Sequence, residues 1–226
     1  MEHLARSPNK RLPMQSKVVQ VVLIVLFGLG SGLAQALEEP EFAVLRTVDG
    51  IEYRQYQPYV VAETLVTDAE GRGDASNVGF RRLFAYISGE NQSKTDIAMT
   101  APVQQVPTSA KITMTAPVRQ SKSMNGWAVA FVLPEGFSVE TAPEPLNPEV
   151  SLRQVPGSLV AVLKYSGRWS DNNINRHKSE LLEKLSEAAV STEGEVVSAF
   201  YNSPFSLPFM RRNEVMVIVS GLPEGI

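Results

Sequence analysis

Few side chains in this sequence could do covalent, redox or metal chemistry. There is no cysteine, and the two histidines are His3 and His177. Thiolate metal sites, iron–sulfur clusters, thiol nucleophiles and disulfides are therefore excluded, and imidazole chemistry is reduced almost to nothing. No nucleophile elbow, phosphate loop or histidine–carboxylate pair occurs at a recognisable spacing. Tyr53, Tyr56, Tyr201 and Glu214 are the acid–base groups left to an enzyme. The 21 basic side chains are outnumbered by 24 acidic ones and form no long basic stripe, which argues against a nucleic-acid partner.

The elements that must position these residues begin after a distinct leader. Arg6, Lys10, Arg11 and Lys17 precede Val18–Gly30, which is apolar apart from Gln20, and the run passes into Ser31-Gly-Leu-Ala-Gln-Ala36. A positive flank, a short apolar core and an Ala-x-Ala ending make residues 1–36 a signal peptide, with cleavage expected after Ala36. Val18–Ala34 is short for a bilayer span, which needs roughly 20 apolar residues. The expected product, residues 37–226, is a single domain located in the periplasm or outside the cell, with no stable membrane insertion. Four basic and one acidic side chain leave with the leader, so the remainder carries a charge near −6 and His177 as its one histidine.

An internal duplication organises the domain. At a constant offset of 99, Arg54-Gln55 and Val61-Ala62 face Arg153-Gln154 and Val160-Ala161. The same offset lays Asn77–Ser88 over Arg176–Glu187 and Met114–Arg119 over Asn213–Ile218. A period this long implies two fused halves, about 42–133 and 149–220, rather than a solenoid. Each half reads strand, helix, strand, strand. Tyr53–Val66 and Leu152–Tyr165 are β-rich runs with a bend at Pro58 or at Pro156-Gly157. Phe80, Leu83, Phe84 and Ile87 recur at helical spacing, with Asp74 or Ser76 as the expected N-cap and Gly89 as the stop. Ser170 or Asp171 is expected to cap a second helix whose Ile174, Leu181, Leu185 and Ala188 share one face. Trp127–Leu133 and Glu214–Ser220 are further strands, and Pro134–Pro148 is a surface connection. The expected class is α+β: a distorted antiparallel sheet or barrel with two flanking helices, a pseudo-two-fold duplication of a βαββ half. Closure of the barrel would remove exposed edges.

The motif Ile97-Ala-Met-Thr-Ala-Pro-Val103 returns as Ile112-Thr-Met-Thr-Ala-Pro-Val118. Alternation predicts two paired strands that end or bulge at their prolines, with Gln104–Lys111 as the turn and Met99 and Met114 as flexible core filling. Together with Glu52-Tyr-Arg-Gln-Tyr56, Gly79–Asn91 and Tyr201–Val215, these blocks resemble the SOUL haem-binding proteins in family order over Phe42–Ser220. The resemblance implies a distorted antiparallel barrel with two helices, related to small-molecule effector-binding domains of the gyrase-inhibitor-like kind. It also implies reversible, non-covalent binding of haem or another porphyrin in an apolar groove.

The groove implied by the resemblance involves Val78, Phe80, Arg81, Phe84 and Ala85 on the first helix and Pro204–Met210 in the late loop. In that loop Phe205, Leu207, Phe209 and Met210 are apolar. Arg81, Arg82 or Arg211 could pair with haem propionates through bidentate hydrogen bonds. The chain departs from the family pattern at Gln55, where some members carry a histidine proposed as an axial ligand, and at Asn77, Ala85 and Ser206-Leu207, where others carry basic residues. His177 is the substitute candidate for haem iron, and no other metal is expected. The expected function is haem transport, buffering or storage. The alternatives are a haem-modifying enzyme such as a dechelatase, or an apolar-ligand or protein-interaction module that no longer binds haem.

Overall fold

The computed structural model describes residues 38–107, 126–203 and 205–224. In chain order the elements are β1 (Phe42–Val48), β2 (Ile51–Tyr56), β3 (Tyr59–Val66), α1 (Arg72–Ile87), β4 (Val103–Pro107), β5 (Trp127–Val132), β6 (Val150–Val155), β7 (Leu159–Tyr165), α2 (Asp171–Glu187), β8 (Thr192–Phe200), a 3-10 turn (Pro208–Met210) and β9 (Asn213–Val219). The nine strands form one antiparallel sheet in the order β1-β2-β7-β9-β8-β4-β5-β3-β6. Leaving β1 aside, this order is a palindrome. Exchanging β2 with β6, β3 with β7, β4 with β8 and β5 with β9 reproduces it reversed, so a pseudo-two-fold passes between β4 and β8. The α+β duplication expected from sequence is present, and the sheet is open, with β1 and β6 as its edges rather than a closed barrel.

The halves are interlocked. β2 pairs with β7 and β3 with β6, each across the duplication. The bend expected at Pro58 is thus a change of place in the sheet: Gln57-Pro58 joins its second strand to its eighth. Two residues span at most about 7 Å, so the sheet must curl. The matching connection at 156–158 lies in contact with the first, the Tyr56 amide donating to the Ser158 carbonyl at 3.0 Å. A Cβ on Gly157 would stand 2.9 Å from the Tyr56 carbonyl oxygen, which explains glycine there.

Both helices lie on one face of the sheet. Ile51, Leu163, Val215, Ser198, Gln105 and Val129 stand in one row across six strands. Val129 packs under α1 with Leu83 and Ile87, and Leu163 and Val215 pack under α2 with Ile174, Leu181 and Leu185. The opposite face buries Tyr56, Val160, Val162, Ala199 and Met216 beside Val61, Ala130 and Val132, with Tyr59 packed against both groups. Ser170 caps α2 as expected, accepting from the Asn173 amide. α1 instead starts four residues before Ser76, after Gly71 and without a side-chain cap. Asp74 lies in its first turn, where a carboxylate meets the positive end of the helix dipole.

Two strand expectations are corrected. Ile97–Ala101 is not a strand, and Gln104–Pro107, expected to turn, is the body of β4. Pro102 has no amide to donate, so the ladder begins after it, and pairing with β5 on one side and β8 on the other holds the segment extended. Ile112–Val118 and Met114 lie outside the described residues, while Met99 packs against the α1 core as expected. In the palindrome β5 holds the place matching β9, so the constant offset of 99 does not run to the end of the duplication.

Gly79 sets how closely α1 approaches the sheet. A Cβ there would fall 2.6 Å from both Cβ and Cγ2 of Val129. Gly79→Ala gains about 1 kcal/mol of helix propensity, whereas overpacking costs about 1–3 kcal/mol. The variant is expected to lose stability by about 1 kcal/mol in urea unfolding. A gain would mean that α1 can lift off β5 freely.

Candidate ligand-binding site

The C-terminal half of α1 carries an apolar depression of about 330 Å3 lined by Phe80, Arg81, Phe84, Ala85, Ser88 and Glu90. Leu83 and Ile87 point into the core, so Phe80 and Phe84 fall at the margin of the buried stripe, one turn apart. Their rings stack at 5.8 Å and 11°, and Phe80 is anchored by an edge contact to Phe131 at 5.3 Å. Phe84 remains 46% exposed. The duplicate half supplies an internal control. Ninety-nine residues on, α2 has Ser179, Glu180, Glu183 and Lys184 at the positions of Phe80, Arg81, Phe84 and Ala85, and Glu180 and Lys184 form an ion pair at 2.9 Å. The ordinary solvated version of this helix surface is charged; in the first half it is aromatic.

Of the three candidate arginines, Arg81 borders the depression and is exposed. Arg82 is committed elsewhere, to Glu149 at 2.7 Å and to the Leu65 carbonyl at 3.2 Å. Arg211 stacks over Trp169 at 4.4 Å and donates to the Ser206 carbonyl at 3.0 Å. The structure thus brings Phe80, Arg81, Phe84 and Ala85 together. Val78 is half-buried on α1 outside the depression, and Phe205, Leu207, Phe209 and Met210 do not line it. Their loop is tied to the β7–α2 connection, the Gly167 amide donating to the Pro208 carbonyl at 2.9 Å. Pro204 lies outside the described residues. His177 sits on α2, its ring stacked on Tyr165 at 4.1 Å and its Nδ1 2.7 Å from the Asn173 carbonyl. Gln55 on β2 donates to the Tyr56 carbonyl at 3.3 Å. Among the described residues no group of three or more His, Asp or Glu side chains could hold a metal ion.

Three of the four acid–base candidates, Tyr56, Tyr201 and Glu214, meet in a buried cluster on the opposite face of the sheet, whereas Tyr53 packs in the core under α2. Arg54 donates to both carboxylate oxygens of Glu214 at 2.9 Å, and both side chains are fully buried. The Tyr201 hydroxyl donates to Glu214 at 2.6 Å, Arg212 donates to it at 2.9 Å, and Arg54 also donates to the Tyr56 hydroxyl at 2.9 Å. Burial alone would raise the Glu214 carboxyl, but its bonds to Arg54 and Tyr201 and the charges of Arg54 and Arg212 hold it below the usual carboxylate value. Burial and the Glu214 charge push the Tyr201 hydroxyl far up, and burial pushes Tyr56 to about 12. Near neutral pH this cluster holds its protons in place instead of exchanging them, which makes it a clamp between β2 and the start of β9. Arg212 extends the clamp to Glu39 at 2.7 Å. Arg54 and Glu214 are 160 residues apart, and no local pattern announces their pairing.

Residues 37–218 match the family described as SOUL heme-binding protein. The chain belongs to the SOUL haem-binding family. The SOUL chain is 28% identical to heme-binding protein 2 of Mus musculus over 199 residues, covering 84% of this chain and 90% of the relative. It is also 28% identical to the Homo sapiens protein of the same name over 195 residues, with the same coverage. Among solved structures, the SOUL fold is similar to the C-terminal domain of EcmrR (TM-score 0.53, 8% identity, 76% of this chain and 98% of that one). A hydrolase from Listeria innocua is comparably similar (TM-score 0.52, 11% identity, 75% and 91%). At these identities the structural likeness concerns the fold alone.

Proposed function

We propose that this SOUL protein binds haem or a related tetrapyrrole reversibly and non-covalently in the depression on α1. One observation carries the assignment to this place: a half-buried Phe80 stacked on an exposed Phe84 stands where the other half of the same fold has the polar Ser179 and Glu183. A flat macrocycle covers such a surface with apolar and aromatic contact. Arg81 at the margin suits a propionate, since a guanidinium presents two parallel donors to a carboxylate. Haem is held as cargo, for transport, buffering or storage, and is not turned over. Glu214, held ionised by its arginine partners, and Tyr201, which keeps its proton, favour that reading. The leader directs the protein to the periplasm or the cell exterior, where residues 37–226 act.

Native mass spectrometry of the protein from its own host is expected to show a population heavier by one haem. An exclusively ligand-free monomer, unchanged after haemin is added, would contradict the assignment. His177 lies on the other helix with its ring already stacked and one nitrogen engaged. His177→Ala is therefore expected to leave the Soret position of the haemin complex unchanged, and a shifted Soret band would make His177 the axial ligand.

A further inference from the structure

The loop between β8 and β9 presents a second apolar surface, separate from the α1 depression. Phe205, Leu207, Phe209 and Met210 are 95%, 55%, 73% and 67% exposed, all within six residues. Single exposed apolar residues are ordinary, but four large ones on one turn are not. The turn is well braced. The amides of Phe205, Ser206, Met210, Arg211 and Arg212 are all bonded within the loop, and the Gly167 amide holds the Pro208 carbonyl from below. Each amide bonded in this way loses no partner when the loop meets an apolar medium.

Arginines flank the loop. Arg168 and Arg211 lie in residues 166–170 and 201–213, which meet through Gly167 and Pro208, while Arg212 is neutralised by Glu39 and Glu214 and the neighbouring Asp171 is paired with Arg72. Arg168 is exposed, and Arg211 stacks on the half-buried indole of Trp169 at the base of the loop. An apolar tip over a base of arginine and tryptophan matches the layering of a bilayer surface, with hydrocarbon beneath anionic headgroups. The haem depression occupies the far half of α1. The end of α1 nearest this loop is its first residue, Arg72, which bonds the Trp169 carbonyl and pairs with Asp171 at 2.6 Å.

We propose that this loop docks the protein, peripherally and reversibly, on an anionic lipid bilayer. Phe205, Leu207, Phe209 and Met210 enter the interface, and Arg168 and Arg211 face the headgroups. Residues 37–226 form one compact unit, so a chain without the leader can be sedimented with vesicles of mixed phosphatidylcholine and phosphatidylglycerol. Binding is expected, weakening with added salt and falling roughly fivefold or more on pure phosphatidylcholine. Phe209→Ser with Met210→Ser is expected to reduce it by at least about tenfold, because each side chain leaves hydrocarbon. Both positions are exposed, so the thermal midpoint should hold. Arg168→Glu should weaken binding to the anionic vesicles alone. Absence of sedimentation by the parent chain, or binding unaltered by the double substitution, would overturn the proposal and leave the loop as a protein-contact surface.

Discussion

Glu214→Gln is expected to lower the unfolding free energy by about 3–5 kcal/mol, the usual effect of breaking a buried ion pair by removing one charge. Arg54 is fully buried and its two bonds to Glu214 form its main neutralisation; Glu52 is the other carboxylate in contact, at 2.8 Å. Glutamine keeps the shape of Glu214 and leaves the guanidinium charged in a low-dielectric site. A paired change, Arg54→Met with Glu214→Leu, removes both charges and should recover much of the loss. The pH dependence follows from the sign of the shift. Glu214 and Glu52 titrate below their ordinary value of 4.5 in the folded protein. Their contribution is therefore present above pH 4.5 and is lost as pH falls through the lower folded values. Urea unfolding should show the parent weakening into acid, with a flatter profile for Glu214→Gln. A loss under 1 kcal/mol at neutral pH would contradict a clamp at this point.

Phe84→Glu should have the largest effect on ligand binding. It places in α1 the residue type that α2 already carries at the matching position, Glu183. A Phe contact with a macrocycle contributes about 1.5–3 kcal/mol, and a carboxylate facing propionates adds repulsion. Haemin affinity is expected to fall roughly a hundredfold. Phe84 is nearly half exposed, so the thermal midpoint should barely move, which separates lost binding from lost folding. Arg81→Ala should weaken haemin by about tenfold, and should not weaken its dimethyl ester, if the guanidinium serves a propionate. Retained affinity in Phe84→Glu would move the site elsewhere, first to the loop of Phe205–Met210.

Hydrophobic periodicity made the two helices and their buried faces legible, because Leu83, Ile87, Ile174, Leu181 and Leu185 recur at helical spacing. Ser170 was readable as a cap through its hydroxyl, whereas Gly71 carries no side-chain signal. Alternation in a strand specifies a face but never a partner, so the exchange of β2 and β3 between halves could not be read from Tyr53–Val66. Pro102 was rightly a ladder boundary, but a proline does not say on which side the ladder lies. For the site, spacing placed Phe80 and Phe84 on one helix face with Leu83. The margin of a stripe looks in sequence like its centre, and only the structure separates the two rings, Phe80 packing against Phe131 and Phe84 stacking outside it against solvent. The Arg54–Glu214 pair left no trace because it joins opposite ends of the domain.

Titrating haemin into residues 37–226 of the parent and of Phe84→Glu, followed by the Soret band and tryptophan quenching, tests the central claim most directly. A saturable change at one haemin per chain that is lost in Phe84→Glu and unaltered in His177→Ala is the predicted result. A linear, unsaturable response of the parent, or the same saturation in both Phe84→Glu and the parent, would contradict a haem site on α1.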